Sequence, residues 1–300
     1  MEAILSSVPD LAPFEVSTEV EIWKSKGQGL VEPSCESSFR QRAWDTPHIE
    51  YTQKNLLENA DQFSRARLLA SLQPESGAFL SAIPVPSLGT HLSPDELRIA
   101  MALRTGSKIC ETHLCKCGQN VDKFGFHLLS CKFNEGRLPR HAAINDIICP
   151  ALKSAGMASR MEPVGLNRGD GKKPDGITIF PFSQGKALCW DATCVNTFSE
   201  SAVNDSAIRA GHAASKAENA KRTKYPDLVR NYRFEPVAIE TSGVFGSSTS
   251  NIVNEIGRRI SEKTGEKREL LWLKQRLNIA VQRGNAVSIM SSVNHMTGYD

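Results

Sequence analysis

The sequence predicts an α/β domain of the α+β kind, a mixed central sheet flanked by helices, behind a small Cys/His-rich knuckle and a helical N-terminal segment. Three observations predict this. Strand-like runs alternate with helix-like runs in the second half of the chain. Four ligand-type side chains crowd a segment too short to have a core of its own. The segment before that cluster carries helix-start chemistry. With 300 residues and 40% hydrophobic content, the chain has room for about two domains and enough apolar surface to bury a core.

Residues 1–55 are polar and irregular and read as a poorly ordered tail. Residues 56–109 form a helical segment, with a helix expected over 55–72 (NLLENADQFSRARLLASL). From Gln73 to Pro94 the prolines Pro84 and Pro86 and Gly89 predict a linker or irregular loop. Ser93-Pro94-Asp95-Glu96 then has the cap and first-turn residues of a helix that ends near Gly106. Residues 110–135 hold the knuckle, and 136–300 form the larger domain, opening with an amphipathic stretch over 141–156. A strand carrying Glu162-Pro163 comes next, and then an apolar run from Ile177 to Phe180, a turn from Pro181 to Gly185 and a β-former-rich run from Ala187 to Val195 predict a hairpin. A long helix, a strand and two closing helices follow, the last anchored by Leu270, Leu273 and Leu277.

The knuckle reads Cys115-x-Cys117, then His127-x3-Cys131. Zinc takes four N or S ligands in a tetrahedron, and two ligands four apart on a helical turn point the same way. Cys110 and His113 stand close by as alternative ligands, Cys110 as a substitute for one of the pair. With no open ligand position the zinc is structural, and the knuckle is placed to touch nucleic acid as well.

The chemical signal lies between residues 162 and 224. Asp191 sits in the middle of a strand, where a carboxylate is out of place unless it is paired or binds a cation. Asp175 lies at the mouth of the same hairpin, and two adjacent carboxylates repel unless a divalent cation lies between them. Oxygen ligands suit Mg²⁺ or Mn²⁺. Ala207, Ala210, Ala214 and Ala217 make an alanine stripe that continues to Lys221 and Lys224, which therefore face the sheet. Glu218 lies near this face, placed to pair with a lysine or to ligate metal.

These residues resemble a known pattern. Pro174-Asp175, Asp191 on a strand and a lysine on the next helix are similar to the PD-(D/E)XK nucleases. More closely, they resemble the restriction-like endonuclease at the C-terminus of site-specific non-LTR retrotransposon reverse transcriptases, where a Cys-Cys-His-Cys knuckle precedes the nuclease. Arg140-His141, Lys173-Pro174-Asp175, Asp191-Ala192-Thr193, Lys221-Arg222-Thr223-Lys224-Tyr225, Glu162-Pro163 and Glu240 carry the match, which covers residues 66–290. Ala78-Phe79-Leu80 and Leu103-Arg104-Thr105-Gly106 are similar to the end of a reverse transcriptase. The resemblance implies a restriction-endonuclease-like core and metal-dependent nicking of DNA, with Asp175 and Asp191 as Mg²⁺ or Mn²⁺ ligands. It implies Lys221 or Lys224 as the catalytic cation and Glu162 or Glu218 as a further acidic ligand. The plain motif has lysine two residues after the acid, where this chain has Thr193. No Tyr-x-Asp-Asp segment occurs, so the chain is expected to lack polymerase activity and to be a fragment, a degenerate copy or a derived gene. An inactive nucleic-acid-binding module is the alternative.

The partners implied are DNA and element RNA. The net charge of +3 permits this without arguing for it. The basic positions from Arg258 to Arg276, interleaved with Glu262, Glu266 and Glu269, read better as a solvated helical face than as a DNA groove. No apolar run is long enough to span a membrane, and the acidic N-terminus lacks the basic leader of a secretory signal. Eight cysteines in such a chain read as thiols or metal ligands, which predicts an intracellular, nuclear protein.

Overall fold

The computed structural model describes residues 20–27, 29–34, 40–166 and 173–293. Much of the stretch read as an irregular tail lies outside these residues. The chain divides into two units, residues 1–61 and 62–300.

In the first unit, helix α1 spans Gln41–Glu58, where the sequence predicts an irregular stretch up to residue 55. Its apolar positions share no face and only Trp44 is buried, so the periodicity that signals a helix is missing. The Trp23 indole meets the Trp44 ring edge-on at 5.3 Å and donates to the Trp44 carbonyl at 3.1 Å. The helix predicted over 55–72 is two helices. Asn59 closes the end of α1 through its backbone and side-chain N–H groups, both on Asn55 O, and α2 begins at Gln62.

In the second unit, α2 (Gln62–Ser71) leads into 3-10 turns at Pro74–Ser81 and Pro86–Leu88. The predicted linker is thus part of the packed structure, with Ser76, Ala78 and Phe79 buried. Helix α3 (Pro94–Thr105) has the expected capping box between Ser93 and Glu96 and ends on left-handed Gly106. The knuckle contributes β1 (His113–Leu114), β2 (Asn120–Val121) and a 3-10 turn at Phe126–Leu129.

Helix α4 (Arg137–Ser154) precedes a four-stranded sheet ordered β3 (Ser159–Met161), β4 (Gly176–Thr178), β5 (Leu188–Val195) and β6 (Arg233–Glu240). β3/β4 and β4/β5 are antiparallel, β5/β6 parallel. The chain is therefore mixed α/β, as predicted. β4 is shorter than the predicted run, because the Thr178 hydroxyl bonds Phe180 O and receives Leu188 N, turning the chain out of the sheet.

Between β5 and β6 lie α5 (Val203–Ser206), α6 (His212–Lys224) and α7 (Pro226–Asn231). The alanine stripe is not continuous: Ala207 caps α5, Ala210 lies in the turn, and α6 starts only after left-handed Gly211. Helices α8 (Ser247–Thr264) and α9 (Glu269–Val293) close the unit. Because strand side chains alternate, Leu188, Trp190 and Ala192 join α4, α8 and α9 in the main core, with Leu273 and Leu277 as expected. Cys189 packs instead with Tyr225, Leu228 and Phe234 on the other face, and Asp191 meets α6 on that face too. Among the described residues no helix is long and apolar enough to cross a membrane.

Candidate functional site

Asp175 ends the loop before β4. Gly176 after it cannot be another residue, since a Cβ there would come within 2.1 Å of the Trp190 ring, which lies across the strand. That indole donates to Asn145 Oδ1 at 3.0 Å, tying the hairpin to α4. One helical turn before Asn145, His141 places Nε2 3.0 Å from Asp175 Oδ2. The same carboxylate oxygen accepts the Ala192 N–H at 2.6 Å. Asp191, 3% exposed, receives the Lys221 ammonium on Oδ2 at 2.9 Å, with Lys224 Nζ 3.9 Å away. Lys221 also reaches Ala192 O at 3.4 Å. Ligand atoms of His141, Asp175 and Asp191 lie within 4.8 Å of one another.

The two carboxyls are driven apart electrostatically. Burial pushes Asp191 above the ordinary carboxylate range, with Asp175 adding to it, despite the opposing charge of Lys221. Burial acts on Asp175 as well, but the hydrogen bond and charge of His141 outweigh it, and Asp175 lies below that range. The hydrogen bond to Asp175 in turn raises His141. An imidazole nitrogen and two carboxylates converging from different elements are a donor set that fits a divalent cation.

The structure thus brings together Asp175, Asp191, Lys221 and Lys224, and it leaves out both candidate glutamates. Glu162 follows β3 in a left-handed conformation, pairs with Lys173 and has a side chain 70% exposed. Glu218 is buried and accepts Ser248 N at 3.0 Å, Thr249 N at 2.9 Å and the Thr249 hydroxyl at 2.8 Å, capping α8 rather than holding metal or a lysine. Glu240 is likewise turned away, bonded to Thr197, Ser242 and Ala214 N. Sequence reasoning gives His141 no catalytic role, because one histidine far upstream of Asp175 has no spacing signature. Only the resemblance, through the pair Arg140-His141, points to it.

The second constellation is Cys115, Cys117, His127 and Cys131, whose ligand atoms also lie within 4.8 Å of one another. The Cys115 and Cys131 sulfurs are 3.7 Å apart, matching the roughly 3.8 Å of a tetrahedron with zinc–sulfur bonds of about 2.3 Å. Cys117 Sγ lies 3.1 Å from His127 Nε2. The turn geometry is as predicted: Cys131 N donates to His127 O at 3.1 Å. Burial pushes the Cys131 thiol up to about 11, so a bound cation would have to displace that proton. The set is compatible with a structural zinc. The two alternative ligands are engaged elsewhere: Cys110 bonds Asp122 O, and His113 spans Glu111 O and the Ser292 hydroxyl.

On α8 and its following turn, Arg258 pairs with Glu255 and Glu262, and Arg268 with Glu266. This is the ion-paired solvated face that the sequence favours over a groove. No family model matches the chain, and no curated protein matches it.

Proposed function

We propose that this chain is a metal-dependent DNA endonuclease of the restriction-like kind, related to the nuclease of non-LTR retrotransposons. The observation that carries the reading is the convergence of Asp175, Asp191 and His141 with Lys221 already on Asp191. A hairpin bearing both aspartates, a parallel neighbour strand and helices on both faces support a restriction-endonuclease-like core.

In this reading Asp175 and Asp191, with His141 or the Ala192 carbonyl, hold a divalent cation. A single imidazole in the set favours Mn²⁺ over Mg²⁺. When bound, the cation would lower the pKa of a water and offset negative charge on the phosphate. Lys221, its side chain 20% exposed and bonded to Asp191, is placed to exchange that carboxylate for a phosphate oxygen and to steady the charge that develops on the phosphate. Lys224 sits behind it, its ammonium 4.5 Å from the Tyr225 ring centroid, as a second cation toward the scissile strand. Where the Ala192 carbonyl rather than His141 completes the donor set, His141, hydrogen-bonded to Asp175, is placed instead to orient or deprotonate the attacking water. The knuckle holds a structural zinc. DNA is the substrate, element RNA a second partner, and the nucleus the compartment where the two would meet.

The test is plasmid nicking by the full chain in Mn²⁺ or Mg²⁺, beside Asp191→Ala. Cutting by the wild type that is lost in the variant supports the reading. A folded, zinc-loaded protein that binds DNA and cuts with neither metal is instead a binding module.

A further inference from the structure

The hairpin that bears both aspartates bends out of the sheet at Ile179-Phe180-Pro181, three consecutive exposed apolar residues on its outgoing arm, ahead of the reversal at Gln184-Gly185. Ile179 is 59% and Phe180 61% exposed. Such a run does nothing for the stability of a water-facing bend and marks a contact surface. The bend is also held rigidly. Ile179 N donates to Ala158 O at 2.7 Å, and Phe180 O accepts the Thr178 hydroxyl at 2.8 Å. The next residue, Phe182, is 3% exposed, with the Arg259 and Arg233 guanidinium carbons 4.0 and 5.0 Å from its ring centroid. Arg259 donates to Phe182 O at 2.9 Å and Arg233 to the Ser183 hydroxyl at 3.0 Å. The apolar bend is therefore presented on a clamped arm.

Arg259 and Arg233 are themselves paired with Glu255 and Glu235, and three further cations stand near the bend. Lys186, on the returning arm, donates to Arg230 O at 2.9 Å, which brings the Arg230 backbone beside it. Arg160 lies on β3 opposite Ile177. All three are exposed, and among the described residues none has an acidic partner. Phe180 is five residues from Asp175 along one hairpin arm, at most about 16 Å at ~3.3 Å per residue. That span is about five base pairs of duplex.

We infer that Ile179, Phe180 and Pro181 form a wedge that enters a DNA duplex between neighbouring base pairs within about five base pairs of the cleaved bond. The wedge unstacks that step and kinks the duplex, while Arg160, Lys186 and Arg230 hold the phosphates beside it. Rigid apolar side chains flanked by cations are what such an insertion needs, and flexible pyrimidine–purine steps or mismatches are its favoured points of entry. The inference rests on the endonuclease reading for its choice of DNA as the partner.

The test uses the full chain and a double variant, Ile179→Ser with Phe180→Ser, whose exposed positions leave the fold intact. The probe is a set of duplexes, each carrying 2-aminopurine at a different position, read by fluorescence in an Asp191→Ala background that leaves the DNA uncut. The expected result is a fluorescence rise confined to one or two adjacent positions, absent in the double variant. In the otherwise wild-type chain the double variant should nick perfect duplex at least about tenfold more slowly, yet nick a duplex mismatched at that step at close to the normal rate. Flat fluorescence with normal nicking overturns the wedge and leaves the endonuclease standing. A localised rise without any nicking keeps the wedge and sinks the endonuclease. Absence of both binding and nicking sinks both. If the double variant changes only the sedimentation of the protein, the bend is a contact between copies and the wedge is wrong.

Discussion

At the scale of the residue, Asp191 is the position where fold and chemistry pull in opposite directions. Its carboxylate is nearly sealed from water, and its proton affinity is raised despite the lysine beside it. The ionised form therefore destabilises the fold above the folded-state pKa. Below the ordinary 3.8 the group is protonated in both folded and unfolded chains, and that penalty vanishes. Asp191→Asn removes the charge while keeping the shape. It is expected to abolish nicking while raising Tm by about 2–4 °C near neutral pH, with the gap to wild type closing as pH falls toward 4. Calorimetry at several pH values checks this; a Tm that drops at neutral pH would mean that the Lys221 pair contributes more than burial removes. Asp191 was legible in the sequence because a lone acid in a β-rich run breaks the pattern. His141 was not, because its partner is brought to it only by the docking of α4 on the hairpin.

At the scale of the element, one helix positions the next. Helix α6 holds Lys221 over Asp191 and, one turn earlier, sends Glu218 into the first turn of α8. Gly246, just before α8, leaves room for that carboxylate, since a Cβ there would come within 2.1 Å of Glu218 Oε1. The glutamate matched a catalytic pattern by sequence because an acidic residue between an alanine face and two lysines fits either role. What separates the roles is whether α8 starts beside it, a long-range fact with no local trace. Glu218→Ala leaves buried N–H groups at that start without their acceptor and is expected to cost about 2 kcal/mol. Tm should fall by about 4–8 °C, while metal affinity at the aspartates should change little. A fall in metal affinity with unchanged Tm would return Glu218 to the site. The alanine stripe shows the same limit in milder form: the periodicity found the right face of α6 but ran past the turn at Gly211.

At the scale of the whole second unit, the turn at Pro74–Ser81, the loop after β6, helix α4 and the knuckle are each fastened to α9 by a polar side chain. Gln275 reaches the Ser81 hydroxyl, and Asn278 reaches Glu75 O and Gly243 O. Asn285 reaches Thr241 O and takes the Arg140 guanidinium, and Ser292 holds His113. The sequence marked Leu270, Leu273 and Leu277 as anchors but gave no hint of this polar row, because the glutamine and asparagines suit a solvent face equally well. Arg140 matters doubly: its other amino group donates to Leu129 O in the turn that carries His127, and the next residue is His141. The knuckle is thus physically joined to the acidic site. Chelation of zinc, or Cys131→Ser, is expected to lower Tm by about 10 °C or more and to slow nicking by loosening His141. Metal analysis should give one zinc per chain. A purified protein free of zinc that melts identically with and without chelator would make the four ligands ordinary core residues.

The same fastening sets a timetable for synthesis. Domains can close as their residues emerge from the ribosome, at roughly 5–20 residues per second. Here the turn at Pro74–Ser81, helix α4, the knuckle and the loop after β6 all bind groups on residues 269–293, which are made after them. None of these partners can complete its contacts early. A chain interrupted anywhere before that helix would carry every proposed catalytic side chain and still lack the scaffold that assembles them, so the proposed cutting activity would appear only once α9 has been made.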